Sequence, residues 1–261
     1  MNIAVCLKQV PGTTRVEINP QTNTLIRQGI KNVINPFDSY ALEEGVRLRE
    51  KLGGKVTAVS MGPPQAAEML REAISLGADE AVLLSDGAFA GADTWATAYT
   101  LAAAIKKLGR VELIICGRQS TDGDTAQVGP EMAEILGFPF LAYVGQIEQI
   151  NVNHITVKRL TDEGHEIIES PLPALITVTK EINIPRLPSL RGLMKAKNAA
   201  IPTWTCADLQ LEPARVGLSG SFTRVVRIYA PQRTTRAEMI AGEAETQVTS
   251  LMDKLKAAKL I

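Results

Sequence analysis

Residues 117–130, GRQSTDGDTAQVGP, carry the densest run of groups able to hold an anion. Thr121 and Thr125 offer hydroxyls, and Gly117 and Gly123 leave backbone N–H groups open to close approach. From about Ala126 an amphipathic pattern (Val128, Met132, Ile135, Leu136) predicts a helix, ended by Gly137 and Pro139. Unpaired N–H groups and the positive end of the dipole meet at a helix N-terminus, which therefore attracts phosphate or carboxylate. The loop has neither GxxxxGK[ST] nor GxGxxG, so it is not a P-loop or the usual dinucleotide fingerprint. Asp122 and Asp124 could accept from a sugar hydroxyl or cap the helix. A carboxylate facing a phosphate would repel it, so at least one of them points elsewhere. A well-capped strand-to-helix turn with no ligand accounts for the same residues.

Three other stretches have similar chemistry. In Asn35-Pro36-Phe37-Asp38, Asn suits the N-cap, Pro the first helical position and Asp the first turn, and capping alone would explain all of them. Met61-Gly62-Pro63-Pro64 suits a tight turn beside a ligand, although turn chemistry needs none. Asp93 suits an N-cap, and Thr94 and Thr97 fall on one face of the helix it opens. Thr is a poor interior helix former, so the pair hints at anion binding; side chains bonding their own backbone is the equal alternative. Other chemistries are poorly served. Cys6, Cys116 and Cys206 are far apart and odd in number, and read as reduced thiols, the first two as small core residues. His154 and His165 lack neighbours at ligand spacing, so no metal site is expected. There is no GxSxG and no Cys with a nearby His, so no activated nucleophile is expected.

The elements that position these stretches alternate. Strands are expected at 2–7, 55–60, 80–84 and 112–116. Helices are expected from Pro36 to about Leu52, from after Pro64 to about Leu76, from Asp93 to about Leu108 and from about Ala126 to Leu136. That order predicts an α/β, doubly wound, mainly parallel sheet, whose ligands sit outside the carboxyl ends of the strands. All four stretches follow strands, on that side. Residues 10–34 are an excursion with a hairpin around Val16–Ile18, Pro20 and Thr24–Ile26.

Beyond 140 the texture changes. Residues 144–152, 155–160 and 166–169 alternate apolar and polar around a 161–164 turn, predicting an antiparallel β meander, and 171–179 returns to a buried strand. Residues 182–215 are Pro-punctuated and basic and read as an extended arm lying over something else. Leu187, Leu190, Leu193 and Met194 among Arg186, Arg191, Lys195 and Lys197 suit a partner surface, or an ordinary crossing between elements. A strand is expected at 222–228 and an amphipathic C-terminal helix at 235–259. The division expected is 1–182, a nucleotide-binding domain, and 183–261, the arm with its loop and helix.

Composition excludes several function classes. Lys+Arg and Asp+Glu both number 28, so no global field favours nucleic acid or an acidic membrane. Aromatics at 4% disfavour base-stacking platforms. No apolar run approaches the ~20 residues that cross a bilayer. The first residues lack a signal peptide's order, so a cytoplasmic protein is expected.

Six stretches resemble the β subunit of electron-transferring flavoproteins: Val5–Pro11 (VCLKQVP), Asn35–Glu44 (NPFDSYALEE), Ser60–Pro63 (SMGP), Gly117–Pro130, Val157–Pro173 (VKRLTDEGHEIIESPLP) and Pro185–Lys197 (PRLPSLRGLMKAK). The resemblance implies a heterodimer with an α subunit that carries the electron-transferring FAD. It also implies an adenine nucleotide in this chain, AMP in simple carriers and a second FAD in electron-bifurcating ones. Carried over by position, the binding residues are Cys6, Asn35, Pro36, Phe37, Asp38, Met61, Gly62, Asp122, Gly123, Asp124, Thr125, Ala126, Gln127, Val128, Gly129 and Pro130. The loop at 185–197 would dock a partner dehydrogenase, of the acyl-CoA dehydrogenase type, through Leu190, Arg191, Met194 and Lys195.

Gly91–Thr97 (GADTWAT) and the 122–130 loop resemble the bifurcating group. Asp93, Thr94 and Thr97 would then serve the second phosphate of FAD, and Arg118 is the candidate for stabilising an anionic flavin. In that reading NADH supplies the electron pair, and ferredoxin and a dehydrogenase each receive one electron. No side chain is expected to act as acid or base, and oxidoreductase activity belongs to the complex. The alternative is an AMP-binding subunit with no redox centre in this chain.

Overall fold

The computed structural model describes residues 1–12, 32–226 and 237–261 with their side chains, and the backbone of 17–19 and 24–26. Strand β1 (Asn2–Cys6) leads to β2 (Gln9–Pro11), β3 (Glu17–Asn19), β4 (Thr24–Ile26) and β5 (Asn32–Ile34). β3 pairs antiparallel with β4, which is the hairpin read in the excursion, and β2 pairs antiparallel with β5. Val16 and Pro20 lie outside the described residues. Then follow α1 (Pro36–Leu52), β6 (Lys55–Met61), α2 (Ala66–Ser75), β7 (Glu80–Leu84), α3 (Thr94–Leu108), β8 (Leu113–Gly117) and α4 (Val128–Leu136). The second half comprises β9 (Phe140–Ile150), β10 (His154–Thr161), β11 (Gly164–Pro171), β12 (Ala174–Val178), α5 (Leu190–Asn198), β13 (Thr203–Trp204) and α6 (Ala244–Ala257).

Nine strands form one sheet in the order β11-β10-β9-β12-β8-β1-β6-β7-β13. All neighbours from β9 to β13 pair parallel, and β10 and β11 extend the edge antiparallel as the meander. The chain runs outward from β1 through β6 to β7, then returns to β8 on the other flank of β1. Right-handed crossovers in opposite directions put α1 and α2 on one face and α3 and α4 on the other. β1 records this in alternate residues. Ile3 and Val5 enter the core under α1 and α2, while Ala4 and Cys6 enter the core under α3 and α4. The reversal between β1 and β8 leaves a crevice at the strands' carboxyl ends, where open α/β sheets bind ligands.

The structure departs from the sequence reading in the second half. Residues 182–215 are not simply an extended arm. Ser189 caps α5 by accepting from the Gly192 N–H (3.0 Å), and a Cβ at Gly192 would lie 2.1 Å from the Ser75 carbonyl oxygen. A glycine there lets α5 lie directly against α2. Further on, Pro-flanked Thr203 and Trp204 extend the parallel sheet beside β7, and Cys206, Leu209 and Val216 enter the core under α3. By their internal contacts Met1–Val226 form one compact unit and Arg227–Ile261 a second. No strand forms over 222–226, and residues 227 and 228 lie outside the described residues. The C-terminal helix spans Ala244–Ala257; residues 237–243, with Gly242 at positive φ, are not helical, and 235 and 236 lie outside the described residues.

Candidate functional site

Asn35 and Asp38 tie the carboxyl ends of β1 and β8 together. Asn35 holds the N-cap position of α1 with Pro36 next, as expected, but its side chain makes no cap bond. Its Nδ2 donates to Asp38 Oδ1 (2.9 Å) and to the Gln119 carbonyl (2.8 Å), and its Oδ1 accepts from the Thr121 N–H (3.1 Å). Asp38 Oδ2 accepts from the Lys8 N–H at 2.7 Å. Burial pushes the Asp38 carboxyl up to about 7, against the pull of Asn35 and the Lys8 and Gly117 amides. A Cβ at Gly117 would run into the Asp38 carboxylate and the Phe37 carbonyl carbon, so only glycine lets α1 sit this close to the end of β8. These residues fix the loop after β8 and do so without spare polar groups.

The 117–127 loop is stitched from within. Lys8 Nζ pairs with Asp122 Oδ1 at 2.7 Å and donates to Ser120 Oγ at 3.2 Å. Desolvation raises Asp122, but the Lys8 bond and charge outweigh it and hold the carboxyl below its ordinary value. Gln119 donates to Asp124 and accepts from Arg118 Nε (2.7 Å), while the Arg118 guanidinium lies 5.2 Å from the centre of the Tyr143 ring. Asp124 and Ala126 take positive φ, so the helix starts at Val128 rather than at Ala126. At Gly129 a Cβ would meet Thr177 Cγ2 at 2.7 Å, which brings the first turn of α4 against β12. No side chain caps this helix. Its first N–H groups thus open toward the crevice, as an anion site requires.

The start of α3 differs. Asp93 caps it, accepting from the Ala96 N–H (3.0 Å) and from Thr223 N (2.9 Å). Burial raises this carboxyl, but the amide and hydroxyl donors bring it below its ordinary value. Thr94 Oγ1 lies 3.1 Å from Glu131 Oε1, to which it donates. The Thr94 hydroxyl, singled out for a phosphate, is thus bonded to Glu131 in this structure. Burial raises the Glu131 carboxyl, partly opposed by the Thr94 bond. Its Oε2 is buried without a partner among the described residues.

These groups line one crevice of about 1470 Å³, beyond the roughly 300–1,000 Å³ common for small-molecule sites. Of the residues singled out from sequence, Cys6, Asn35, Asp38, Met61, Gly62, Asp93, Thr94, Thr97, Arg118, Gly123, Thr125, Ala126, Gln127, Val128 and Gly129 line it. Pro36, Phe37, Asp122, Asp124 and Pro130 do not; they act on its walls. Sequence reasoning missed Lys8, Glu131, residues 85–87, Phe89, Ala90 and Phe222–Val225, which also line it. Trp95 and Phe222 meet there with ring centres 6.0 Å apart. Lys8 was findable as the first charged residue after β1. Phe222 was not, because its segment alternates like a strand. Among the described residues no group of three His, Cys, Asp or Glu is placed to hold a metal ion.

The α5 helix and the turn before it form a separate surface. Leu187, Leu190 and Met194 are 88%, 84% and 72% exposed. Gly192 and Ala196 face α2, and Lys195 Nζ donates to the Ala78 carbonyl (3.0 Å), so Lys195 is held by its own chain. Arg186 anchors the approach to α5, bonding Glu43 (2.8 Å) and Glu50 (2.7 Å), and both acids push its pKa up. Arg191 is exposed.

The electron transfer flavoprotein domain family matches residues 22–209. The chain is 48% identical, over the whole of both chains, to an electron transfer flavoprotein subunit beta of Thermoanaerobacterium thermosaccharolyticum. It is 47% identical over the whole of both chains to subunit CarD of the caffeyl-CoA reductase-Etf complex of Acetobacterium woodii. To Protein FixA of Bradyrhizobium diazoefficiens it is 40% identical, over 98% of this chain and 91% of that one.

Proposed function

The chain belongs to the electron transfer flavoprotein family as a β subunit, and from that premise we propose that its crevice binds FAD and that it takes part in electron bifurcation. In this reading the electron pair of NADH is divided between ferredoxin and a partner dehydrogenase, the latter reached through the FAD of the α subunit. Bound flavin would supply the hydride and single-electron chemistry, and the residues of this chain would hold and orient it.

The observation that carries the reading is the crevice at the β1/β8 switch point with the uncapped start of α4 opening into it. Uncapped N–H groups at Val128 and Gly129 offer a diphosphate its donors. The aspartates around the site are each held by donors that offset part of their negative charge. Asp38 binds amides and Asn35, Asp93 caps α3, Asp122 holds Lys8, and Asp86 accepts from the Ala88 N–H (3.0 Å). Glu131 is the exception: its Oε2 is buried without a partner among the described residues. The extent of the crevice, from Gly123 past Met61 to Phe222, exceeds what a mononucleotide needs and supports FAD over AMP. The relative from a caffeyl-CoA reductase-Etf complex is in keeping with an acyl-CoA-type dehydrogenase as partner.

The exposed side chains Leu187, Leu190 and Met194 support docking of that dehydrogenase on α5, with Arg191 at the rim. Charge neutrality and the lack, among the described residues, of any helix long and apolar enough to cross a membrane suit a cytoplasmic complex.

The test is an anaerobic NADH titration of the purified heterodimer with ferredoxin and the dehydrogenase present. Ferredoxin reduction that requires the dehydrogenase and its oxidised substrate supports the reading. Reduction of the dehydrogenase alone, with ferredoxin untouched, overturns it.

A further inference from the structure

Two thiols stand side by side on the floor of the crevice. Cys6 ends β1 and Cys116 lies in β8, and the two are direct partners in the parallel ladder. Both belong to the core on the α3/α4 face, so both side chains leave the sheet on the same side. Neighbouring strands lie about 4.8 Å apart, which sets the spacing of two parallel Cα–Cβ bonds. Both residues also line the crevice, 8% and 7% exposed, so they form its base rather than being sealed beneath it.

That geometry does not favour a direct sulfur–sulfur bond. A disulfide needs Cβ atoms about 3.5–4.5 Å apart, and side-by-side vectors on a parallel ladder hold them wider. An atom that bonds both sulfurs at longer reach fits without moving the strands. We infer that Cys6 and Cys116 form a dithiol site on the crevice floor that takes a monosubstituted trivalent arsenical in place of the nucleotide. In the step R–As(OH)2 reacts with two S–H groups. Two As–S bonds form, two As–O bonds and two S–H bonds break, and two waters leave; nothing is oxidised or reduced.

The thiols behave differently toward other reagents. The neighbouring Cys6 thiol and burial push Cys116 well above its ordinary value, so little thiolate is present to attack a simple alkylator. The affinity comes from two bonds to one arsenic atom. Cys206 is the internal contrast: buried, with its Sγ donating to the Leu211 carbonyl (3.2 Å), it lacks a second thiol in the ladder.

The exclusion of the nucleotide rests on the function proposed above; the dithiol does not. The experiment uses the purified heterodimer, stripped of nucleotide or reloaded with FAD, and phenylarsine oxide as probe. Intact mass and peptide mapping locate the adduct, and excess monothiol or 2,3-dimercaptopropanol challenges it. The expected result is one adduct bridging Cys6 and Cys116, stable to monothiol and released by dithiol. Cys6→Ser, Cys116→Ser, Cys6→Ala and Cys116→Ala should each weaken retention roughly a hundredfold, while Cys206→Ser keeps it. Retention unchanged in all four variants, or an adduct mapped to Cys206, overturns the site. An adduct forming on Cys6 and Cys116 as fast with FAD bound as without keeps the dithiol and removes the nucleotide from above it.

Discussion

The crevice and the α5 surface make opposite use of polar and apolar groups. In the crevice wall, four aspartates, an asparagine and a lysine are satisfied mostly by one another and by amides. On α5 and the turn that leads into it, the apolar side chains of Leu187, Leu190 and Met194 stand in solvent with nothing from the described chain over them. A ligand site built on satisfied groups is rigid and specific, since each lost bond strands a buried donor. A surface of exposed apolar side chains on a well-anchored helix is suited to association. The two regions should therefore respond to mutation in opposite ways, one through stability and cofactor content, the other through partner kinetics.

Asp38→Ala should have the largest effect. It strands the Lys8 and Gly117 amides and the Asn35 amide in a buried place, at about 3 kcal/mol of unfolding free energy, read by urea titration. The same residue gives a pH dependence. Its carboxyl rises in the folded state from 3.8 to about 7, so over that interval the folded state binds more protons than the unfolded one. Stability from this group therefore falls as pH rises through the interval and is level above it. The stability of the wild type relative to Asp38→Asn should decline over that range; a flat difference would contradict the raised carboxyl.

Gly129→Ala comes next. The new Cβ meets the β-branched Thr177, so α4 must shift, costing about 1–2 kcal/mol and loosening the nucleotide. Retained stability with full cofactor would show that the α4 start is not where the anion binds. On the other surface, Leu190→Ala should leave stability within about 0.5 kcal/mol and cofactor unchanged. It should raise the KM for the dehydrogenase roughly tenfold, a loss near 1.4 kcal/mol. A drop in cofactor content instead would erase the distinction between the regions. The smallest change is Lys8→Met: its pair with Asp122 is half exposed and worth about 0–1 kcal/mol, a melting shift of no more than about 2–4 °C.

The first half of the fold was legible because each element advertises itself locally. Apolar β-branched runs, a Pro at the first position of α1 and the Asp93 cap all speak within a few residues. The crevice was legible for the same reason, since ligands of such sheets sit after strands. What escaped depended on distant contacts. Nothing local says that Gly192 faces Ser75, or that Thr203 and Trp204 pair with β7, so α5 and β13 were read as an arm. The roles within the site escaped likewise. Asn35 reads as a cap by position, yet its side chain serves residues 119 and 121; Thr94 reads as a phosphate donor, yet Glu131 takes its hydroxyl. Lys8 resolves the surplus of carboxylates from more than a hundred residues away in sequence.

The central claim, that the β1/β8 crevice holds a flavin, is tested most directly by counting nucleotides released from the purified heterodimer by acid or heat. The account predicts two FAD and no AMP per heterodimer, with one FAD lost in Gly129→Ala and none in Leu190→Ala. One FAD and one AMP would contradict it.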